Sequence, residues 1–250
     1  MASAAPDVTV RPTWYSGGDT WAGELWTMLH LPYTLMVLSF VVVGAALAPT
    51  ISWSILGWSL LAYFLGLGLG AHLLDQVPGM GTHYVRHWPT WALWVGGFAT
   101  LGAAIVIGVL GAALVLGWPF LILVAVQAIF AIGYPLSKWF HGAFHRDSAF
   151  AISWGSLPFL VSFYAQSLTI TALSIVVAIV FGAVAMAEIK LSRKSRRLRA
   201  EARDGSDGAA PGNSPASSFR NLDRALMLLS VGTILGGILI LLARVALIGG

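Results

Sequence analysis

Apolar positions in this chain run in long blocks, and polar residues gather in the connections between them. The blocks predict spans at Leu25 to Leu47, Ile51 to Leu74, Trp91 to Leu110, Ala112 to Gly133, Ala149 to Gln166, Leu168 to Ile189 and Leu226 to Leu247. Each approaches the roughly 20 apolar residues that a helix needs to cross the hydrocarbon core at about 1.5 Å rise per residue. In lipid, backbone amides must be satisfied within a helix or a closed barrel, and these blocks lack the alternation of barrel strands. The expected fold class is all-α, a polytopic integral membrane helical bundle with seven transmembrane helices.

The connections alternate in charge. With the N-terminus cytoplasmic, the inner segments carry Arg11, Arg86, Lys138, Arg146, Lys190, Arg193, Lys194, Arg196, Arg197, Arg199, Arg203, Arg220 and Arg224, leaving only Arg244 of the 14 cationic residues outside. The excess of Lys and Arg on one side predicts the N-terminus inside and the C-terminus outside. The expected organisation is an N-terminal cytoplasmic segment over 1–24, a six-helix core over 25–191 with polar loops at 75–90 and 134–148, a basic then flexible linker over 192–221, and a last helix over 222–250. The stretch Asp204 to Ser218, rich in Gly, Ala, Ser and Pro, reads as the soft part of that linker.

Composition adds little to the picture but excludes several classes. The chain is 58% hydrophobic and 10% charged, as a lipid-facing surface requires. No cleavable signal is expected at the start, because a cationic beginning followed closely by an apolar core is missing. There are no cysteines, so disulfides and thiolate metal sites are unavailable to it. The basic run Lys190 to Arg203 accounts for most of the net charge of +4 and suits membrane lipids, with anionic headgroups foremost, rather than nucleic acid. Small residues at Gly66, Gly68, Gly70 and Ala71, and at Gly232, Gly236 and Gly237, read as close helix packing.

Polar chemistry concentrates in two places. One is the end of the second span and its loop, with His72, Asp75, Gln76, Pro78, Gly79, Gly81, Thr82, His83, Tyr84, Arg86 and His87. The other follows the fourth span, with Tyr134, Ser137, Lys138, His141, His145, Arg146 and Asp147. The parity of the spans places both on the cytoplasmic face, where they are expected to wall one site. His72 and Asp75 share a helical face if the second helix continues that far, and Lys138, His141 and His145 fall on one stripe if their segment is helical. Carboxylates beside cations suit a phosphorylated ligand, held through a divalent metal or directly by Lys and Arg. The blander reading makes Asp147 a cap on the fifth helix and leaves the boundary histidines and arginines to snorkel.

These residues also carry a resemblance. Gly68 to Thr82, G-L-G-A-H-L-L-D-Q-V-P-G-M-G-T, resembles the first aspartate region of a divergent branch of the UbiA prenyltransferase superfamily, and Leu29 to Pro49 resembles that branch's first span. Phe144 to Asp147, F-H-R-D, and Ala151 to Pro158, A-I-S-W-G-S-L-P, resemble its second polar motif and the following helix. The resemblance implies transfer of a prenyl group from an isoprenyl diphosphate to a lipophilic acceptor, with Mg²⁺ as cofactor. By that likeness Asp75 and Asp147 are the metal-side carboxylates and Arg86, Lys138 and Arg146 the diphosphate clamps. Tyr134 and Trp154 line the chamber near the reacting carbon, while His72, Gln76, His141 and His145 complete the substrate contacts. His72 replaces the usual polar lead residue, Gln76 stands where the branch has glutamate, and the spans are fewer than in typical members.

The rival reading is a non-catalytic UbiA-like subunit that packs against a membrane-protein partner or binds a lipid or pigment. Trp53, Trp58, Trp88, Trp91, Trp94 and Trp118 suit an interfacial belt or a partner surface equally. A retinal protein is excluded, because the last span holds no lysine for a Schiff base.

Overall fold

The computed structural model describes residues 13–81, 84–203 and 215–249. Arg11, Thr82, His83 and the stretch 204–214 lie outside the described residues, as does the Arg203 side chain. All the described elements are helical. They are α1 (Trp21–Met28), α2 (Leu31–Ala46), α3 (Trp53–Asp75), α4 (Thr90–Leu116), α5 (Pro119–Gly133), α6 (Asp147–Ser167), α7 (Ala172–Arg203) and α8 (Pro215–Gly249). Six helices, counting α1 with α2, are long and apolar enough to cross a bilayer, and the protein is built as a multi-pass membrane protein.

Local chemistry explains where these helices stop. Thr20 caps α1 by accepting from Gly23 N at 3.0 Å. The first expected span is broken at His30, whose φ of 44° is left-handed, and Pro32 then opens α2. The third expected span continues past Gly111, because a glycine in helical φ/ψ does not end a helix. The turn comes instead at Gly117, with φ of 81°, followed by Pro119 in the first turn of α5. The boundary expected between Leu110 and Ala112 is therefore corrected, and α5 shrinks to 15 residues. At about 1.5 Å per residue that length falls short of a hydrocarbon core of about 30 Å.

The basic part of the expected linker is helical: α7 runs for 32 residues through it to Arg203, and α8 begins at Pro215, well before Leu226, while 204–214, most of its expected soft part, lie outside the described residues. Arg, Lys, Leu and Ala are strong helix formers, and Arg197 pairs with Glu201 one turn on at 2.9 Å. The two helices are tied where they leave the apolar zone. Ser195 Oγ donates to Asp223 Oδ1 at 2.7 Å, and Arg199 forms an ion pair with the same carboxylate.

In the bundle α2 packs against the C-terminal half of α6 and against α8, while α7 packs on α8 and on the first half of α6. α3 packs on α4 through a π-helical stretch, Phe64–Ala71, and α6 carries a second one, Ala151–Ser156. Small residues set these approaches. A Cβ on Gly155 would stand 2.4 Å from Phe181 O, and one on Gly44 would stand 2.5 Å from Phe159 O. Polar braces cross the interior: Tyr63 Oη donates to Gln127 Oε1 at 3.2 Å, and Gln127 Nε2 donates to Ser153 Oγ at 3.2 Å. At one end Ser52 N donates to Gln166 Oε1 at 2.7 Å, and Arg244 donates to the carbonyls of Ala48 and Pro49. The opposite end carries His30, Asp75, Tyr134, Asp147 and the basic part of α7, and is called the basic end below.

An apolar cavity of about 520 Å³ opens among α3, α4 and α5, lined by small and aliphatic residues such as Gly66, Ala104 and Gly108 and touched by Tyr63 and Gln127. Lipid-facing side chains elsewhere are large and apolar, with Leu173 72% and Leu228 68% exposed. Replacing Gly44 with Val is expected to cost about 1–3 kcal/mol through overpacking, read as a lower thermal unfolding midpoint in detergent. Gly57→Val, at a site with no heavy atom within 4 Å of an added Cβ, serves as the control and is expected to shift that midpoint much less.

Candidate functional site at the basic end

The two polar segments meet. Lys138 Nζ, at the start of the short 3₁₀ turn Ser137–Phe140, donates to Gly79 O in the loop after α3, and Trp139 stacks on Trp94 of α4 at 5.6 Å. Asp75 and Tyr134, one from each segment, lie within electrostatic reach of each other.

On the α2 and α3 side, the left-handed backbone of His30 carries its imidazole onto His72, with ring centroids 4.4 Å apart and planes 18° from parallel. Each ring uses Nδ1 toward a carbonyl, His30 to Met28 O and His72 to Gly68 O, both at 3.0 Å. A carbonyl only accepts, so both rings carry their proton on Nδ1 and leave Nε2 as an acceptor. Tyr84 Oη donates to Thr27 O at 3.1 Å beside them.

Asp75 turns its carboxylate over Gly81, where an added Cβ would stand 1.9 Å from Oδ1, so the glycine is what lets the loop fold back on the acid. Gln76 is fully buried, and its Oε1 accepts from Tyr84 N at 3.2 Å, which holds the loop against the end of α3. Arg86 is exposed and points away from the cluster toward Asp19, 3.8 Å away. Its backbone N and that of His87 donate to the buried Glu24 carboxylate at 2.8 and 3.0 Å. Asp19, Glu24 and His87 are also the group of potential metal ligands found among the described residues.

On the α5 and α6 side, Tyr134 heads an aromatic box. Its ring lies 4.9 Å from Trp154, 5.4 Å from Phe150 and 5.2 Å from His145, while Phe150 and Trp154 stack at 5.0 Å. Burial pushes the Tyr134 phenol up, opposed by the Arg193 guanidinium, to which its oxygen is an acceptor at 3.4 Å. Asp147 opens α6, where a negative charge suits the helix dipole, and forms an ion pair with Arg193. The expected stripe of Lys138, His141 and His145 is not present. The 3₁₀ turn ends at His141, whose φ is 52°, and Gly142 follows at 79°, leaving His141 on an exposed bend. Arg146 is also exposed and makes no side-chain capping bond.

Sequence reasoning missed three residues of this end. Arg193 and Arg196 were absorbed into the topology signal, yet both turn inward from α7. Arg196 is half-buried and within electrostatic reach of His30, Tyr84, Tyr134 and His145. Glu188, 4% exposed, lies two turns before Arg196 on the same helix. Its signal was present, since it is the lone acid in an otherwise apolar span, and such acids are costly in lipid.

Among the described residues, those implied for Mg²⁺ are not brought together as a ligand set. Neither Asp75 nor Asp147 joins a group of three metal-ligating side chains among the described residues. Asp147 is committed to Arg193 and Asp75 is folded against Gly81. Comparisons with protein-family models, with curated proteins and with solved structures find no match to this chain.

His145 supplies a test of this electrostatic arrangement. Desolvation, then Arg193 and Arg196, hold its imidazole below the ordinary value of 6.5. As pH falls through that value the unfolded chain takes a proton that the folded one refuses, so this group's contribution to stability declines on acidification. His145→Gln is expected to flatten the fall in the unfolding midpoint between about pH 7 and about pH 5. An unchanged slope would remove His145 from the account.

Proposed function

We propose that the chain is a UbiA-like intramembrane transferase that moves a prenyl group from an isoprenyl diphosphate to a lipophilic acceptor. The observation that carries this reading is the guanidinium of Arg193 donating to Tyr134 Oη at the edge of the box formed by Tyr134, Phe150 and Trp154, with Arg196 within electrostatic reach of the same tyrosine. A diphosphate needs cations, and guanidinium forks bind phosphate oxygens with charge-assisted hydrogen bonds. As the allylic C–O bond breaks, the diphosphate keeps the electron pair and the carbon becomes cationic, and aromatic faces beside it stabilise that charge. The acceptor then bonds to the carbon and loses its proton. The apolar cavity among α3, α4 and α5 offers room for a tail, and its Tyr63 and Gln127 are already hydrogen-bonded to one another.

Labelled geranylgeranyl diphosphate, incubated with protein in bilayer nanodiscs containing lipid alcohols, is expected to release diphosphate. Arg196→Gln is expected to weaken donor binding by about tenfold or more, the scale of one charge-assisted contact. Asp75→Asn is expected to reduce turnover as well. Absence of release from the wild-type protein, with or without added Mg²⁺, would replace this reading with the alternative of a non-catalytic membrane subunit that binds a lipid or pigment.

The same reading places the basic end in the cytoplasm, with the N-terminus inside and the C-terminus outside. Because the chain has no cysteine, single substitutions report cleanly. Ala209→Cys is expected to react with an impermeant maleimide only in inverted vesicles, and Gly250→Cys only in right-side-out ones. The reverse pattern would turn the protein over.

A further inference from the structure

Asp19, Glu24 and His87 have no part in the reading above, yet they bring two carboxylates and an imidazole together, with ligand atoms all within 4.8 Å of one another. They come from two distant parts of the chain. Asp19 precedes the Thr20 cap of α1 and Glu24 lies in the first turn of that helix, whereas His87 stands in the loop between α3 and α4. Beside them Trp21 stacks on Trp88, with ring centroids 4.8 Å apart and planes 14° from parallel, which holds the two segments in register.

The three side chains are graded from fixed to free. Glu24 is 4% exposed, and the backbone amides of Arg86 and His87 donate to its two oxygens at 2.8 and 3.0 Å, so the carboxylate is oriented from outside as ligating carboxylates are. His87 Nδ1 stands 2.9 Å from Glu24 Oε1. Two ligands of one tetrahedral ion, with bonds of about 2.0 to 2.2 Å, lie roughly 3.3 to 3.5 Å apart, so this pair opens by about half an ångström on binding. Asp19 reaches in from solvent with its side chain 71% exposed, and a rotation of that carboxylate closes the remaining gap. Arg86, 3.8 Å from Asp19, is exposed and turns away into water at little cost, because exposed ion pairs contribute little.

We propose that Asp19, Glu24 and His87 bind one divalent ion of borderline softness, Zn²⁺ foremost, with water as the fourth ligand on the solvent side. An imidazole among carboxylates suits zinc, while Mg²⁺ and Ca²⁺ favour all-oxygen sets. The ion replaces the proton between His87 Nδ1 and Glu24 Oε1, and the bound ring carries its proton on Nε2; a doubly protonated ring gives up one proton to water. Binding ties the start of α1 to the loop of Tyr84, which Gln76 already holds against the end of α3. The site stands independently of the proposed transfer.

The test titrates the full chain in detergent, stripped beforehand with a chelator, with Zn²⁺ and in parallel with Co²⁺, whose visible absorption separates four-coordinate from six-coordinate sites. With no cysteine in the chain, no thiolate band overlies that spectrum. One equivalent of either ion is expected to bind, with a four-coordinate Co²⁺ spectrum, and Zn²⁺ is expected to raise the thermal unfolding midpoint. His87→Ala and Asp19→Asn are each expected to weaken binding by about tenfold or more and to remove that rise. His141→Ala, at an exposed histidine outside the cluster, is expected to bind as the wild type does. Metal-free midpoints show that each variant has kept its fold, and the wild-type titration stands without them. A wild-type Kd weaker than about 100 μM, a six-coordinate spectrum, binding undiminished in a folded His87→Ala variant, or equal loss in His141→Ala would overturn the proposal.

Discussion

The close approach of α7 to α6 sets the arrangement of the basic end. At Gly155 the backbone of α6 lies so near Phe181 O that even a methyl group would collide, and Gly182 lies equally close to Ser156. Without water in the membrane, helices associate through such packing and through polar contacts rather than through hydrophobic expulsion. Because α7 is one unbroken helix to Arg203, its register at Gly155 decides its register further on. Glu188 is thereby turned inward, Arg193 meets Asp147, and Arg196 faces the histidine and tyrosine rings. The π-helical stretch of α6 widens the turn at the same place and presents Trp154 beside Tyr134.

The electrostatics of this end are mixed, and the mixture limits what each charge does. Arg193 is partly neutralised by Asp147, and Arg199 by Asp223. Arg196 has no described hydrogen bond or ion pair and bears on several rings at once, which makes it the cation most open to an anionic head. Lys190, Lys194 and Arg197 point outward from the same helix and suit lipid headgroups. One basic run therefore divides into an inner and an outer face, a division set by helical periodicity.

Several features could be read directly from residue order. The apolar blocks were long enough to require helices, and the polar residues sat at alternate connections, so the meeting of the loops around Gly79 and Lys138 followed from parity. Boundaries were less legible. Gly111 looked like a break and is helical, whereas Gly117 followed by Pro119 makes the turn, because only a positive φ or a missing amide stops a helix in lipid. The basic run suits a connection by its charge and a helix by its propensities, and the helix prevails to Arg203. Glu188 is visible as an isolated acid, but nothing in its neighbours in sequence indicates that packing of α7 buries it.

The sequence by itself determined the habitat, the helical class and the grouping of polar side chains at one end, since these depend on segment hydropathy and on counting spans. Only the tertiary structure decided which charges engage one another. Asp147 with Arg193, His30 on His72, and Glu24 under the backbone of Arg86 and His87 each join residues from separate elements. Those pairings depend on the rotation of each helix about its axis and on how closely neighbours approach. Both are set by packing at small residues far along the chain from the charges they align.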